Sequence, residues 1–201
     1  MHPGSHSLGG KRRSAPSIAA FIIWVVALEL NLSWVTEDLA VGGRFPIEAT
    51  EQLARSLSIR AIVDLRREAC DDEHILKQHG IRLLHLPTQD CCGIALPQIW
   101  EGVRFIDEQL RNGGRVYVHC EHGIGRSPLL TCCFLLERAH SPLAALRLVK
   151  SARPCVSPTP DQLQRFLEWT RQWMKGRSVP WRLPDLLELS EIAYSHLHQG
   201  A

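Results

Sequence analysis

Short apolar runs alternate with longer amphipathic segments along this chain, and this alternation is the strongest constraint on its fold. Three runs have the length and nearly continuous apolar character of buried strands, at residues 61–65, 81–86 and 116–118, and one or two more short strands are expected within residues 34–43. Apolar residues at helical spacing mark the other segments, at residues 46–57, 71–79, 97–111, 128–139, 141–152, 161–175 and 184–197. Strands buried on both faces are typical of parallel sheets whose connections are helices. The pattern predicts an α/β fold: a central, mostly parallel twisted sheet flanked by helices, with a helical C-terminal side.

Composition narrows the class of protein. The chain has 201 residues, of which 45% are apolar, with 23 basic and 21 acidic side chains. That apolar content is enough for a buried core, so wholesale disorder is not expected. A net charge of +2 lacks the large basic excess of proteins that neutralise many phosphates, so nucleic acid is not an expected partner. Because seven cysteines cannot all pair, at least one thiol stays free, and a reducing, cytoplasmic compartment is expected.

Three regions are predicted: a basic start with a short apolar run at residues 1–30, a folded domain at residues 31–176, and a C-terminal helical extension at residues 177–201. The apolar run, residues 18–28, would form about 16 Å of helix, whereas a membrane core is about 30 Å thick. Three interpretations of the start stay open. The first is a signal peptide, and the second is a membrane anchor that places residues 11–30 on a membrane surface. The third is a segment without a targeting role, either a helix or strand packed on the domain or the product of a misassigned start codon.

Residues 116–128 carry the chemistry. They place Cys120 at the end of a buried strand and Arg126 six positions later, with Gly123 and Gly125 between them and a helix directly after. The backbone amides of a tight glycine-containing loop can converge on one anion, which the start of the helix also attracts. The guanidinium of Arg126 matches two phosphate oxygens. Since the same positive surroundings favour a thiolate at Cys120, the segment predicts a phosphate site with a cysteine nucleophile.

His119, Cys120, Arg126 and Ser127 resemble the active-site signature of cysteine-dependent protein-tyrosine phosphatases, in particular the compact dual-specificity subgroup. The resemblance extends over about residues 34–175, with matching stretches at residues 38–43, 63–66, 87–90, 141–142 and 153–162. Arsenate reductases and low-molecular-weight phosphatases share the Cys-x5-Arg spacing but place it near the N-terminus. The late position of Cys120 favours the dual-specificity subgroup, so residues 31–176 are predicted to be a phosphatase catalytic domain.

The resemblance implies a role for each residue of the site. Cys120 attacks phosphorus to form a cysteinyl-phosphate, and Ser127 donates a hydrogen bond to the departing thiolate. His119 orders the loop from behind, and Asp90, thirty positions before Cys120, is the acid for the leaving group and then the base for water. Gln162 is predicted to border the pocket. The phosphate oxygens are bound by the loop residues Glu121, His122, Gly123, Ile124, Gly125 and Arg126.

The implied activity is hydrolysis of phosphotyrosine, and also of phosphoserine and phosphothreonine, in phosphorylated protein substrates. Relatives that remove phosphate from inositol lipids tend to have extra basic residues at the variable loop positions. Glu121, His122 and Ile124 add no Lys or Arg here, so the resemblance implies protein rather than inositol-lipid substrates. Two alternatives stay open: a phosphatase of a phosphoinositide, another small phosphate ester or an RNA 5′-phosphate on the same scaffold, and a non-catalytic phosphate-binding adaptor.

No cofactor and no metal are predicted, because consecutive residues on a tight loop cannot all converge on one ion. A thiol near Cys120 can trap its oxidised form as a disulfide, since a reactive thiolate is prone to oxidation. Cys70 is the predicted redox partner, with the pair Cys91 and Cys92 as the alternative.

Overall fold

The computed structural model describes residues 29–198. One sheet has the spatial order β1-β2-β5-β3-β4, in which β1 and β2 are antiparallel and all other neighbours are parallel. Its strands are β1 (Leu32–Trp34), β2 (Leu39–Gly42), β3 (Ile59–Arg66), β4 (Arg82–Thr88) and β5 (Arg115–His119). The prediction of a mostly parallel α/β sheet is therefore confirmed.

Seven α-helices flank this sheet within the described range. They are α1 (Thr50–Arg55), α2 (Glu73–Gln78), α3 (Leu96–Arg111), α4 (Arg126–Glu137), α5 (Pro142–Ala152), α6 (Pro160–Met174) and α7 (Leu186–Ala193). Short 3₁₀ turns, Ile47–Ala49 and Ser195–His198, precede α1 and follow α7. Each predicted helical segment overlaps one of these helices. Helices α3 and α6 begin one residue before the predicted starts at residues 97 and 161, and α4 begins two residues before the predicted start at residue 128. Pro128 fits there because the first helical turn needs no backbone N–H from it.

Both faces of the sheet are covered, which explains the continuous apolar runs in its strands. Alternate residues of β2 point to opposite sides: Leu39 and Val41 belong to the larger core, and Ala40 to the smaller one. The larger core includes residues of α3 to α7, and the smaller core includes residues of α1 and α2. Helix α4 runs through the larger core, with residues 126–136 all buried.

The parallel strands bring their carboxyl ends to one edge of the sheet. Gly42 at the end of β2 and Asp64 near the end of β3 both lie beside His119, the last residue of the central strand β5. In open parallel sheets ligands bind outside this edge. The sheet thus presents the residues that follow β5 between two neighbouring strand ends.

The predictions made for residues 1–28 lie outside the described residues. Within residues 29–198, no helix has the length and hydropathy that crossing a membrane requires. Helix α7, in the predicted C-terminal extension, buries Leu189 and Ala193 in the larger core.

Candidate active site

The phosphate loop, residues 120–126, joins β5 to α4. Gly123 adopts a φ of +71°, and a β carbon there would lie 2.2 Å from the carbonyl carbon of Gly42. A β carbon on Gly125 would lie 2.3 Å from Oε1 of Gln162. At the first position only glycine satisfies both the backbone angle and the close approach to the Gly42 backbone, whereas at the second a side chain would displace the buried amide of Gln162. The two glycines therefore let the loop fold tightly over the end of β2 and against α6.

Helix α4 begins at this loop without a side-chain cap, since its N-cap residue is Gly125. Four other helices do have such a cap: an N-cap side chain accepts a hydrogen bond from a backbone N–H of the first turn. The capping residues of α2, α5, α6 and α7 are Asp72, Ser141, Thr159 and Asp185. The first-turn amides of α4 are thus available to an anion, and the helix dipole favours negative charge at that position.

Cys120 is 3% exposed, and its Sγ accepts a hydrogen bond from the backbone N–H of Gly123 at 3.3 Å. The Ser127 hydroxyl lies 3.4 Å from the same sulfur and donates to the carbonyl oxygen of Gly42 at 3.1 Å. Rotation of this hydroxyl from the carbonyl to the sulfur would give a thiolate a second donor. The predicted pair of Cys120 and Ser127 is therefore in contact.

Arg126 is buried, and several acceptors fix its guanidinium. Its two terminal nitrogens donate to the carboxylate of Glu68 at 2.7 and 2.9 Å, and Nη1 also donates to the carbonyl oxygen of Thr88 at 2.9 Å. Asp90 also pairs with Arg126, with Oδ1 3.0 Å from Nη2. The hydrogen bonds from Arg126 lower the pKa of Glu68 to about 2. The Nε–H of Arg126 is buried and has no hydrogen-bond partner among the described residues.

Glu68 is a functional candidate that the sequence analysis missed. It follows β3, the strand beside β5, so the sheet order brings it to Arg126 across 58 positions of sequence. The sequence does show an acidic residue just beyond the carboxyl end of a predicted strand, where ligands bind in parallel sheets. That position alone does not indicate which basic side chain pairs with it.

A buried charged network supports the loop from behind. The Nε2–H of His119 donates to Asp71 at 2.8 Å, and Asp71 also pairs with Arg66. Arg66 donates to both carboxylate oxygens of Asp64 at 2.9 and 2.8 Å. Burial raises the pKa of Asp64, but the hydrogen bonds and charges of Arg66 and His119 outweigh it, and the pKa is lowered overall. His119 thus lies behind the loop in a network of paired charges.

Two groups of side chains have donor atoms close enough to share one cation: Asp64 with Cys70 and His85, and Asp64 with Asp71 and His119. Asp64 belongs to both groups. Its carboxylate already accepts hydrogen bonds from the Arg66 guanidinium and from the backbone amides of Arg66 and Asp71. Arg66 therefore supplies the positive charge that this carboxylate needs.

Arg153, at the end of α5, holds the phosphate loop from a further direction. Its Nε donates to the carbonyl oxygen of Gly123 and its Nη2 to that of His122, both at 2.8 Å. The same Nη2 donates to Oδ1 of Asn31 at 2.5 Å. Arg153 lies in a stretch that carries the resemblance, but this bracing role was not predicted.

A cleft of about 190 Å³ opens above Cys120, lined also by Asp90, Cys91, His122, Ile124, Gly125, Ser157, Thr159 and Gln162. Gln162 is buried, and its Oε1 accepts from the Thr159 backbone at 2.9 Å while its Nε2 donates to the carbonyl oxygen of Cys92 at 3.3 Å. Its amide thus joins the start of α6 to the loop that carries Asp90. The predicted border residue lies at this cleft.

The predicted acid Asp90 is half-exposed in the loop between β4 and α3. The start of α6 ties this loop down: the Thr159 hydroxyl donates to the carbonyl oxygen of Cys91 at 2.7 Å, and Asp161 accepts from the backbone of Gly93 at 2.6 Å. The carboxylate of Asp90 is thereby held over the phosphate loop, next to Arg126.

The cysteines predicted as redox partners lie in two different places. Cys91 lines the cleft above Cys120. Cys70 is exposed as a residue, and its Sγ lies 3.4 Å from the carbonyl oxygen of Asp71. Partial burial of the sulfur and the charges of Asp64 and Asp71 raise the pKa of the Cys70 thiol. A raised pKa slows thiolate attack on an oxidised partner. Disulfide trapping by Cys70 stays a prediction.

Comparisons with known proteins agree with this geometry. The family model "Dual specificity phosphatase, catalytic domain" matches residues 46–172. Dual specificity protein phosphatase 22-B of Danio rerio is 30% identical, over 72% of this chain and 81% of its own length. Phosphatidylglycerophosphate phosphatase PTPMT1 of Arabidopsis thaliana is 28% identical, over 71% of this chain and 44% of its own length. The match to Dual specificity protein phosphatase 16 of Homo sapiens covers 17% of that protein's length. The chain thus spans less than half of these two relatives.

Solved structures share the fold. Tk-PTP in its active form superposes with a TM-score of 0.66 at 25% identity, covering 72% of this chain and 99% of that one. PTPMT1 in complex with PI(5)P gives a TM-score of 0.68 at 22% identity, covering 72% and 97%. The sheet and the loop after its central strand define a member of the cysteine-dependent protein-tyrosine phosphatase superfamily. Within that superfamily, the chain belongs to the dual specificity phosphatase family, which confirms the resemblance predicted from the sequence.

Proposed function

We propose that this protein hydrolyses phosphate monoesters of proteins, phosphotyrosine foremost, through a cysteinyl-phosphate intermediate. The observation that carries the proposal is the buried Nε–H of Arg126, for which the described residues offer no hydrogen-bond acceptor. Arg126 is the first residue of α4, whose start has no side-chain cap, and its charge interacts with that of the Cys120 thiolate. A buried donor without an acceptor costs free energy, and a phosphate oxygen bound in the loop would satisfy it.

In the first step the Cys120 thiolate attacks phosphorus, so that an S–P bond forms while the bond to the leaving oxygen breaks. Asp90 gives its proton to that oxygen, which leaves as an alcohol or phenol. The loop amides and Arg126 hold the three equatorial oxygens, on which the transition state spreads its charge.

In the second step a water molecule attacks the phosphorus of the cysteinyl-phosphate. Asp90, now a carboxylate, takes a proton from this water, the S–P bond breaks, and inorganic phosphate forms. The electron pair returns to Cys120 as a thiolate, toward which the Ser127 hydroxyl turns from the carbonyl of Gly42. The enzyme is thereby restored.

Hydrolysis of a chromogenic aryl phosphate tests the proposal. We expect wild-type turnover and a loss of about 10⁴-fold or more in Cys120→Ser, with an unchanged melting temperature, because the serine hydroxyl is a far weaker nucleophile at neutral pH. Cys92→Ser, which changes an exposed thiol outside the cleft lining, is the matched control and should retain activity. Wild-type turnover no higher than that of Cys120→Ser would reject the enzyme and favour the phosphate-binding adaptor.

The substrate class is argued from the lining of the cleft. No Lys or Arg is among the residues that line this cleft, although Arg67 lines the adjoining groove with Asp90 and Glu121. Ile124 presents apolar surface at the mouth of the cleft, 37% exposed. Glu121, on the phosphate loop, is already paired with Arg44 at 2.8 Å. An aromatic ring packs well on such a surface, whereas a multiply phosphorylated headgroup gains more from added cations.

A lipid phosphate is the second candidate, because the Arabidopsis relative is named as a phosphatidylglycerophosphate phosphatase. The two are separated by comparing kcat/KM on a phosphotyrosine peptide with that on phosphatidylglycerophosphate in vesicles. We expect the peptide to be the better substrate. A preference for the lipid would replace the protein-phosphatase proposal while leaving the mechanism in place.

A further inference from the structure

The part of the chain that follows the family match reaches the active-site cleft. The match ends at residue 172, and the C-terminal segment, residues 185–198, contains α7 and the last 3₁₀ turn. Asp185 and Glu188 form a capping box at the start of α7, and Leu189 and Ala193 are fully buried. The segment is thus anchored on the domain, with its end against the cleft wall, residues 155–159.

Lys150, on α5, joins the C-terminal segment to the cleft wall. Its ammonium donates to the carbonyl oxygen of Val156 at 2.6 Å, to that of Ala193 at 2.8 Å, and to Nδ1 of His196 at 2.8 Å. These three acceptors match the three protons of an ammonium group. Because the side chain is buried, every one of these hydrogen bonds replaces lost contact with water.

The bond from Lys150 also fixes the orientation of His196. An ammonium group only donates, so Nδ1 accepts and the neutral ring carries its proton on Nε2. That proton points to the hydroxyl of Ser157, 3.5 Å away, which in turn donates to the carbonyl oxygen of Cys155 at 3.3 Å. The chain of donors therefore runs in one direction from α5 to the cleft wall.

Two further bonds link the cleft wall to its surroundings. The Tyr194 hydroxyl donates to the carbonyl oxygen of Pro158 at 2.6 Å, and the backbone N–H of Ser157 donates to the carbonyl oxygen of Ile124 at 2.9 Å. Ser157 and Ile124 both line the cleft. The C-terminal segment thus sets the position of a wall that faces whatever group carries the phosphate.

We propose that the C-terminal segment is a positioning element for this wall, in which His196 and Tyr194 are positioning residues that set the affinity for the part of the substrate outside the phosphate. The inference rests on the proposed function. Arg153 braces the phosphate loop independently, through the carbonyl oxygens of Gly123 and His122. Loosening the wall should therefore weaken binding of a phosphopeptide while phosphate-loop chemistry continues.

The test measures kcat and KM for a phosphotyrosine peptide and the inhibition constant of orthovanadate, which occupies only the phosphate loop. His196→Ala and Tyr194→Phe should each raise KM about threefold to tenfold, the equivalent of one net hydrogen bond. Both kcat and the vanadate constant should change less than about twofold. His196→Asn, whose side-chain oxygen accepts from Lys150 in place of Nδ1, should recover most of the affinity.

Leu197→Ala, which alters a side chain that is 66% exposed in the same turn, is the matched control and should change nothing. An unchanged KM in His196→Ala and Tyr194→Phe overturns the proposal. A parallel loss of kcat and vanadate affinity also overturns it, because the segment would then only stabilise the domain. If the wild type does not turn over, the proposed function fails by itself. Calorimetry then measures the dissociation constant of the peptide from the same variants, and this constant decides the role of the segment in the same way as KM.

Discussion

The floor of the site, around Cys120, Arg126 and Asp90, is held by charged groups, since Arg126 pairs with Glu68 and Asp90 and Arg153 braces the phosphate loop. Its outer boundary, residues 155–159 and Ile124, is held by hydrogen bonds to backbone carbonyls, in which Lys150 is the charged donor and Tyr194 and Ser157 are neutral ones. A hydrogen bond with an ionised donor or acceptor is roughly twice as strong as a neutral one. The reacting atoms are therefore fixed by more and stronger contacts than the surface that meets the substrate, which one substitution can loosen. Changes in the floor should therefore affect catalysis steeply, and changes at the boundary should have graded effects.

The largest effect is expected from Arg126→Lys in the floor. Arg126 pairs with Glu68 through its two terminal nitrogens, so its Nε–H is available to the phosphate. Lysine keeps the charge but lacks this planar arrangement of donors. We expect kcat/KM on an aryl phosphate to fall about 10³-fold, as for the loss of a donor to a transition-state oxygen. Steady-state kinetics measure this loss, and a fall of less than tenfold would mean that charge alone suffices.

Asp90→Asn, also in the floor, should have the next largest effect. The amide cannot give a proton to the leaving oxygen, so kcat should fall about 10²-fold while peptide binding is retained. The loss should be greater for a phosphoserine peptide than for an aryl phosphate, because an alkoxide leaves less readily without a proton. An unchanged kcat with the phosphoserine peptide would assign the acid to another residue.

Glu68→Gln removes the anion that holds Arg126 and should lower kcat/KM about tenfold, the equivalent of one charge-assisted hydrogen bond. The pKa of Glu68 is about 2, below its ordinary 4.5. A depressed pKa adds stability that is fully present above 4.5 and is lost as the pH falls toward 2. Chemical denaturation should therefore show the wild type more stable than Glu68→Gln at neutral pH, with the difference shrinking between pH 5 and pH 2. A constant difference across that range would contradict the ion pair.

Ile124→Ala should have the smallest effect. It removes apolar surface at the mouth of the cleft, so KM for a phosphotyrosine peptide should rise about twofold to fivefold with kcat unchanged. Leu187→Ala, a comparable change at a side chain 68% exposed on α7, should leave KM alone. If Ile124→Ala lowers kcat as sharply as the floor variants, the distinction between floor and boundary fails.

The chain order alone predicted most of what is local. Cys120, Arg126 and Ser127 lie within eight consecutive residues, so a strand, a loop and a helix in sequence already bring them together. The apolar runs predicted a parallel sheet because both of its faces are covered. Asp90 and Gln162 came from the family resemblance, and the structure places both at the cleft.

Contacts between distant residues were decided only by the tertiary structure. Glu68 meets Arg126, Arg153 meets the phosphate loop, and His196 meets Lys150 because neighbouring strands and helices carry them there. No periodicity or spacing records such a pairing, since each partner lies 30 to 58 positions from the other. The fold class and the phosphate loop could therefore be predicted from the sequence, because the members of the loop are neighbours along the backbone. Packing across the sheet decided what holds Arg126 and what shapes the cleft, because charges and donors find their partners through space.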